Sequence, residues 1–357
     1  MFKRPRNSKA LTRGSFYIVF LILLSLLLIA CPGRKSEPLT VVSWGGSTQD
    51  GLRSAIIAPY EQKHSVKVQE ATYNGELELI RDQVQSGNVK WDVVHVEDDM
   101  MFKGEKNNWF EELPADWKQK LPLDKRAVDK FGIAFFSWGT VLAYNTDRLK
   151  NLGLQPPKNW SAFWDPKYQG PFGFRKSPIG TIEIALLANG TKPSELYPLS
   201  REKVQKALSY LSQIRKKISW WSGGAEHQQK LLTDYTMSCA WSGRVWVMMS
   251  KGEHVDMTLN QALARYDWWV IPRGTKHKDE ALRFLEFATQ PEVEGKFCSL
   301  TGYGPPNDAA MNMLPPNLRN YVPNFTASES PALVMDSRWW ADNIDWVQDL
   351  WIKWLGE

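Results

Sequence analysis

The clearest hydrophobic pattern lies late in the chain. Residues 266–271, Tyr-Asp-Trp-Trp-Val-Ile, have the aromatic and β-branched character of a buried strand. Pro272 and Gly274 break it. Ala281, Leu282, Leu285 and Ala288 then recur at helical spacing, with Asp279 and Glu280 in the first turn, where the helix dipole favours acids. The start of the chain proper alternates in period. Residues 39–43 predict a strand, 49–63 a helix with Leu52, Ile56 and Tyr60 on one face, and 66–70 a strand. A helix over 76–86 and a strand over 91–96 follow. This β-α-β-α-β order indicates a parallel sheet covered by helices. Ligands of such sheets bind beyond the carboxyl ends of the strands, which puts residues 44–48 and 95–99 on the ligand side.

Residues 132–145 are extended without helical period and fit a strand that leaves the first unit. A second unit follows. It has strands over 170–175, 219–221 and 236–241, and helices over 181–188, 201–216 and 224–232. Gly223 and Gly224 open the last of these with free N–H groups. The rigid turn at 302–307 comes after the strand at 266–271. The tail, 337–355, repeats Trp340, Ile344, Val347, Trp351 and Trp354 at helical spacing, as a docked helix does.

The first thirty residues have a different character. Lys3, Arg4, Arg6, Lys9 and Arg13 precede an apolar run of about fifteen residues, shorter than the roughly twenty a membrane span needs. The pattern reads as a secretory signal. It ends Leu28-Ile29-Ala30-Cys31, which resembles the bacterial lipobox and makes Cys31 the expected lipidation site, with 31–38 as a tether. The formal charge of +5 comes from 44 basic and 39 acidic residues. Five of the basic ones lie in that segment, so the remainder is neutral and carries no signature of nucleic-acid binding. Eighteen tryptophans suit both large cores and a cleft that grips amines or stacks on sugars. Cys239 and Cys298 sit in apolar runs and could be buried thiols or a disulfide; no metal-ligand spacing exists, and no cofactor is expected.

The blocks Val41-Val-Ser-Trp44-Gly-Gly, Trp91-Asp-Val-Val94, Ser137-Trp-Gly-Thr-Val-Leu-Ala-Tyr-Asn145, Trp160-Ser-Ala-Phe-Trp164, Cys239-Ala-Trp-Ser-Gly-Arg244, Asp267-Trp-Trp-Val-Ile-Pro-Arg-Gly274 and Gly302-Tyr-Gly-Pro-Pro-Asn307 occur in this order. Together they resemble the extracytoplasmic solute-binding proteins of ABC importers, in the spermidine/putrescine-binding branch. The resemblance implies the two-lobed α/β periplasmic-binding-protein fold of type II, each lobe a mixed sheet flanked by helices, with two hinge crossings. Lobe 1 is expected over 39–143 and 268–309, and lobe 2 over 144–267 and 310–357. It also implies a monomer outside the cytoplasmic membrane that delivers a small ligand to an ABC permease.

By the same resemblance, Trp44 and Trp241 match aromatics that line the polyamine cleft, and Asp267 matches the carboxylate that pairs with an ammonium. From the residues alone, Asp267 could equally be a surface acid, and the tryptophans could be core. Arg265 replaces an aromatic of that branch and could clamp a carboxylate. Residues 95–99 read His-Val-Glu-Asp-Asp: Glu97, Asp98 and Asp99 could face a cation or form a solvated turn. Arg244 could clamp ligand or join the lobes, Glu183 lies where polyamine binders place acids, and His227 reads as a solvated helix residue. The ligand expected is a polyamine or an amine carrying one carboxylate, of the 4-aminobutyrate type. The rivals are a sugar binder and a secreted hydrolase. For the second, no GxSxG, HExxH or P-loop is present, and Ser200-Arg-Glu-Lys203 lacks a companion KTG, so no catalytic residue is assigned.

Overall fold

The computed structural model describes residues 1–2, 37–323 and 332–356. The signal-like segment and Cys31 lie outside the described residues. The chain divides into Met1–Pro38 and Leu39–Glu357, and the second unit contains every element of the fold.

Nine strands are present among the described residues: β1 (Leu39–Ser43), β2 (Val68–Thr72), β3 (Val93–Glu97), β4 (Gly132–Asn145), β5 (Phe172–Arg175), β6 (Ile218–Trp221), β7 (Met237–Trp241), β8 (Val255–Val270) and β9 (Leu333–Val334). They form one mixed sheet in the order β2-β1-β3-β8-β4-β7-β5-β6, with β9 added beside β8. The β1–β3 and β5–β7 groups pair in parallel, whereas β4 and β8 run antiparallel to each other, β8 to β3 and β4 to β7; β9 pairs with β8 in parallel. Seven helices position the site or close the cores: α1 (Gly46–Leu52), α2 (Asp98–Lys106), α3 (Thr181–Ala188), α4 (Gly224–Thr233), α5 (Ser242–Ser250), α6 (Pro291–Thr301) and α7 (Ser337–Gly356).

Two hydrophobic clusters bury the apolar faces. One gathers Leu39–Trp138 and Trp268–Val322; the other gathers Val141–Leu263 and Met335–Trp354. The long strands β4 and β8 carry the chain from one cluster to the other, and their mutual ladder shifts register between Thr140 and Leu142. Because this pair continues through both clusters, the strands of the two halves are hydrogen-bonded into a single sheet rather than two separate ones. A third passage follows Val322, after which α7 delivers Trp340, Val347, Trp351 and Trp354 to the second cluster.

Several expectations need correction. Leu314, Leu318 and Val322 pack in the first cluster, although residues 310–322 were expected with lobe 2. The physical reason is Gly295 on α6, whose missing side chain lets the helix Asp308–Met313 lie against it. Strand β8 begins eleven residues before the expected start at Tyr266, since β4 gives it a partner along its whole length. Polar Asn260 and Gln261, the latter with φ of 61°, disguise the strand in sequence. Residues 98–99 are not a loop: they open α2, with both acids in the first turn. Ser242–Arg244 opens α5 directly after β7.

Cys239 belongs to the second cluster and Cys298 to the first, and both are free and buried. The disulfide alternative is therefore set aside. Burial pushes the Cys239 thiol up to about 12, far from reactive. Alkylation of the folded protein should leave both cysteines unmodified, and unfolding should expose both to complete labelling. A Cys239–Cys298 linked peptide in a non-reducing digest would contradict this packing.

Candidate functional site

The register of the central strands assembles the site. Asp267 on β8 sits opposite Glu97 on β3 and Phe136 on β4, and Arg265 sits opposite Trp138. Side chains two residues apart on a strand share a face. One face of the sheet therefore carries Glu97, Phe136, Trp138, Arg265 and Asp267 where the two clusters meet. A cleft partly open to solvent lies there. Its lining includes Trp44, Tyr73, Trp138, Asp267 and Tyr303, faced by Arg175, Trp241 and Arg244.

Asp267 is 2% exposed. Its carboxylate accepts hydrogen bonds from the Trp44 indole N–H and, at 2.9 Å, from the Trp138 indole N–H. Neither donor carries charge. Burial pushes the acid well above the usual carboxylate range, the nearby Glu97 charge adds to this, and the indole bonds offset only part of it. Trp44 is itself held by stacking on Tyr73, with ring centroids 4.9 Å apart. Phe136 and Tyr303 stack at 4.4 Å and give the cleft a flat apolar surface.

Arg265 does not line this cleft. Its guanidinium is 1% exposed and points at the acidic segment before and within α2. Nη1 donates to Glu97 at 2.9 Å, Nε donates to Asp98 at 2.7 Å, and Nη2 reaches both Asp98 and Asp99. Burial disfavours its charge, yet Asp98, Asp99 and Glu97 outweigh burial and hold it firmly protonated. The ring of Trp138 covers the guanidinium carbon at 5.6 Å. With four of its five N–H donors taken by these acids and no place in the cleft lining, Arg265 does not face a ligand carboxylate there. Asp98 and Asp99 likewise serve Arg265, and Ser337 at the start of α7 donates to Asp98. Of the three acids only Glu97 reaches the cleft.

Arg175, which sequence reading missed, ion-pairs with Glu97 at 3.1 Å. Burial raises the Glu97 acid, but Arg175 and Arg265 together bring it below its ordinary value. Arg175 ends β5, where the carboxyl-end rule would have found it. Its guanidinium lies 5.2 Å from the Trp241 ring, and that of Arg244 lies 5.4 Å from the same ring.

Arg244 is the cation that remains. It stands in the first turn of α5, is 4% exposed, and its Nε has no hydrogen-bond partner. Among the described residues the ion pairs around the cleft belong to Arg175 and Arg265, none to Arg244. Two glycines make room for it. A Cβ on Gly224 would come within 2.3 Å of Nε, and one on Gly46 within 3.1 Å of Nη1. Gly223 and Gly224 do line the cleft, as their place at the start of α4 indicated.

The remaining candidates are structural. Glu183 accepts from Trp340 Nε1 and Tyr197 OH, each at 2.6 Å, and from the Gly180 amide at 2.9 Å, so it caps α3 and fastens α7. His227 is buried rather than solvated; Nε2 meets Ser238 Oγ at 2.9 Å, and burial lowers its pKa to about 3, with Arg244 adding to the effect.

A solvent-reachable cleft lined from both clusters, with a buried acid, a buried base and aromatic walls, is the site of a small-solute binder. The chain belongs to the bacterial extracellular solute-binding proteins, whose family model matches residues 55–324. Such proteins bind a small ligand and deliver it to an ABC permease. The chain is similar to the gamma-aminobutyric acid-binding protein of Pseudomonas aeruginosa, at 30% identity over 339 residues, covering 94% of this chain and 95% of that one. It is 21% identical over 213 residues, 59% of each chain, to the spermidine/putrescine-binding periplasmic protein of Escherichia coli. The solved structure of the Atu4243 GABA receptor superposes with a TM-score of 0.79 at 29% identity, covering 89% of this chain and 97% of that one. No helix among the described residues is long and apolar enough to cross a membrane.

Replacing Arg265 by Met should strip Asp98 and Asp99 of their cation and leave Glu97 to Arg175 alone, at a cost of about 3–5 kcal/mol of stability near neutral pH. Without the guanidinium Glu97 and Asp99 lose a charge that favours their ionised form, so the loss should shrink as pH falls and they take up protons. Urea denaturation of Arg265→Met at pH 5 and pH 8 checks this: an equal loss at both would show that the arginine does not hold the cluster.

Proposed function

We propose that the cleft captures a small zwitterion, an amine carrying one carboxylate of the 4-aminobutyrate type. The observation that carries this reading is Arg244, a buried cation without an ion pair among the described residues, in the same cleft as Asp267. The ligand ammonium takes Asp267, the carboxylate takes Arg244, and the methylenes lie along Trp44 and the stacked Phe136–Tyr303 pair. A polyamine would satisfy Asp267 but bring a second ammonium towards Arg244 and Arg175. A neutral sugar would leave both charges unmet at a cost of roughly 1–3 kcal/mol each. The gamma-aminobutyric acid-binding relative supports the same choice.

In this reading the two halves act as lobes, 39–143 with 268–309 and 144–267 with 310–357, the first enlarged by the residues to Val322 that share its core. The ligand contacts both and shifts the population towards closure. The protein works as a monomer and is not an enzyme. Ser43 and His95 do form an Oγ–Nδ1 pair at 2.9 Å, but both are fully buried, and Trp269 stacks on the imidazole. A lipid on Cys31 anchors the molecule to a membrane outside the cytoplasm, from where it delivers ligand to its ABC permease.

Protonation is part of the binding. In the ligand-free fold Asp267 is raised, so it keeps a proton at a pH where an exposed aspartate has lost it. An arriving ammonium favours the ionised form, and binding expels the proton. Affinity for 4-aminobutyrate should therefore fall as pH drops through the raised pKa of ligand-free Asp267. Calorimetry across that range, repeated in buffers of different ionisation enthalpy, should detect the released proton. Asp267→Asn should abolish the slope and weaken binding at least tenfold, about 1.4 kcal/mol. Arg244→Met should weaken 4-aminobutyrate by a similar factor while improving putrescine. If Arg244→Met leaves the ratio of the two affinities where it was, the zwitterion assignment fails.

A further inference from the structure

Two acids reach the cleft, and they are neighbours. Glu97 on β3 is the register partner of Asp267 on β8, and both belong to the lining. Two indoles are the donors to Asp267 among the described residues, so it is the acid that a ligand ammonium completes. Glu97 is supplied differently. Arg265 donates to one of its oxygens at 2.9 Å, and Arg175 lies 3.1 Å from the other. It keeps its negative charge, which acts on Asp267 next to it.

Arg175 comes to Glu97 from the other half of the sheet. Phe172 and Phe174 of its strand pack in the second cluster, whereas Val94 and Val96 of the Glu97 strand pack in the first. Glu97 is its acid partner among the described residues, and its guanidinium also rests on the Trp241 ring at 5.2 Å. Arg244 lies 5.4 Å from the same ring. Two cations thus share one indole, and Glu97 neutralises the first of them. With a zwitterion bound, every charge has a counterpart: ammonium with Asp267, carboxylate with Arg244, Arg175 with Glu97. A second ligand carboxylate would find no free cation. Attached to the carbon that carries the ammonium, it would also lie beside Glu97, and like charges in a partly desolvated site repel strongly.

We infer that Glu97 discriminates between a plain ω-amino acid and an α-amino dicarboxylic acid: its charge rejects a carboxylate beside the ligand ammonium, and its pair with Arg175 withholds the cation that would otherwise accept one. The inference rests on the zwitterion reading above and extends it to what the site refuses. Glutamate is the direct competitor, being 4-aminobutyrate with a second carboxylate on the amine-bearing carbon. Refusal through a repelled, unpaired charge is one of the two routes to specificity, beside improved contacts to the favoured ligand. Neutralising Glu97 leaves Arg265 with Asp98 and Asp99, so the ion cluster behind the cleft does not depend on it.

The test uses calorimetry with 4-aminobutyrate, glutamate and glutamate α-amide, which keeps the shape of glutamate without the second charge. The wild type should prefer 4-aminobutyrate to glutamate at least tenfold, and should bind the amide at least tenfold tighter than glutamate. In Glu97→Gln the ratio of the constants for 4-aminobutyrate and glutamate should move at least tenfold towards glutamate. Adding Arg175→Gln should move it back, because the cation released by the first change is gone. Thermal unfolding monitors the variants, and the amide comparison needs none. Any one of three results overturns the inference and leaves the zwitterion reading standing: equal binding of glutamate and its amide, an unchanged ratio in folded Glu97→Gln, or a double variant that matches the single one. If the wild type fails to bind 4-aminobutyrate, both are overturned.

Discussion

The structure depends on keeping opposite charges dry and apart on one strand. Arg265 and Asp267 lie two residues from each other on β8, on the same face and both almost wholly buried. Left alone they would pair, and the cleft would hold a neutral contact with nothing to offer a ligand. They do not, because each has been given other partners. Three acids around the start of α2 surround the guanidinium, and two indoles donate to the carboxylate. Trp138 serves both purposes, covering Arg265 with its ring while its N–H reaches Asp267. The result is one saturated ion cluster and one undersatisfied acid. The reactive remainder faces the solvent-reachable side.

A similar asymmetry operates among the three arginines. Arg265 is locked, Arg175 shares a carboxylate, and Arg244 is buried with a donor left over. Their order from saturated to free runs from the sheet towards the cleft. Desolvation makes an unpaired charge costly, so a buried group left this way is a recognition element that a counter-charge completes.

Much of the architecture could be read from residues, because period and punctuation are local properties. The strands at 39–43, 132–145 and 219–221, the helix at 181–188 and the tail helix show in hydrophobic spacing alone. Asp267 and Trp44 could be named as candidates, since an acid among aromatics is an odd neighbour in any strand. Partners across the sheet were not legible. Arg265 looked like a ligand clamp because nothing in the sequence says that residues 97–99, more than 160 positions away, reach its guanidinium. Arg175 escaped notice for the converse reason: it ends a short strand whose position beside Trp241 is settled only by the sheet order β7-β5-β6. The helix α2 was hidden because its two leading acids look like a solvated turn until the dipole they cap is recognised.

The final helix has a consequence for how the molecule is built. Trp340, Val347, Trp351 and Trp354 complete a core whose other walls begin with Val141, some two hundred residues earlier, and Glu183 waits in that core for the Trp340 N–H. A chain emerging from its amino end therefore carries the second half with an open hydrophobic flank until the last segment arrives. The order of the sequence thus delays compaction of this core until α7 has been made.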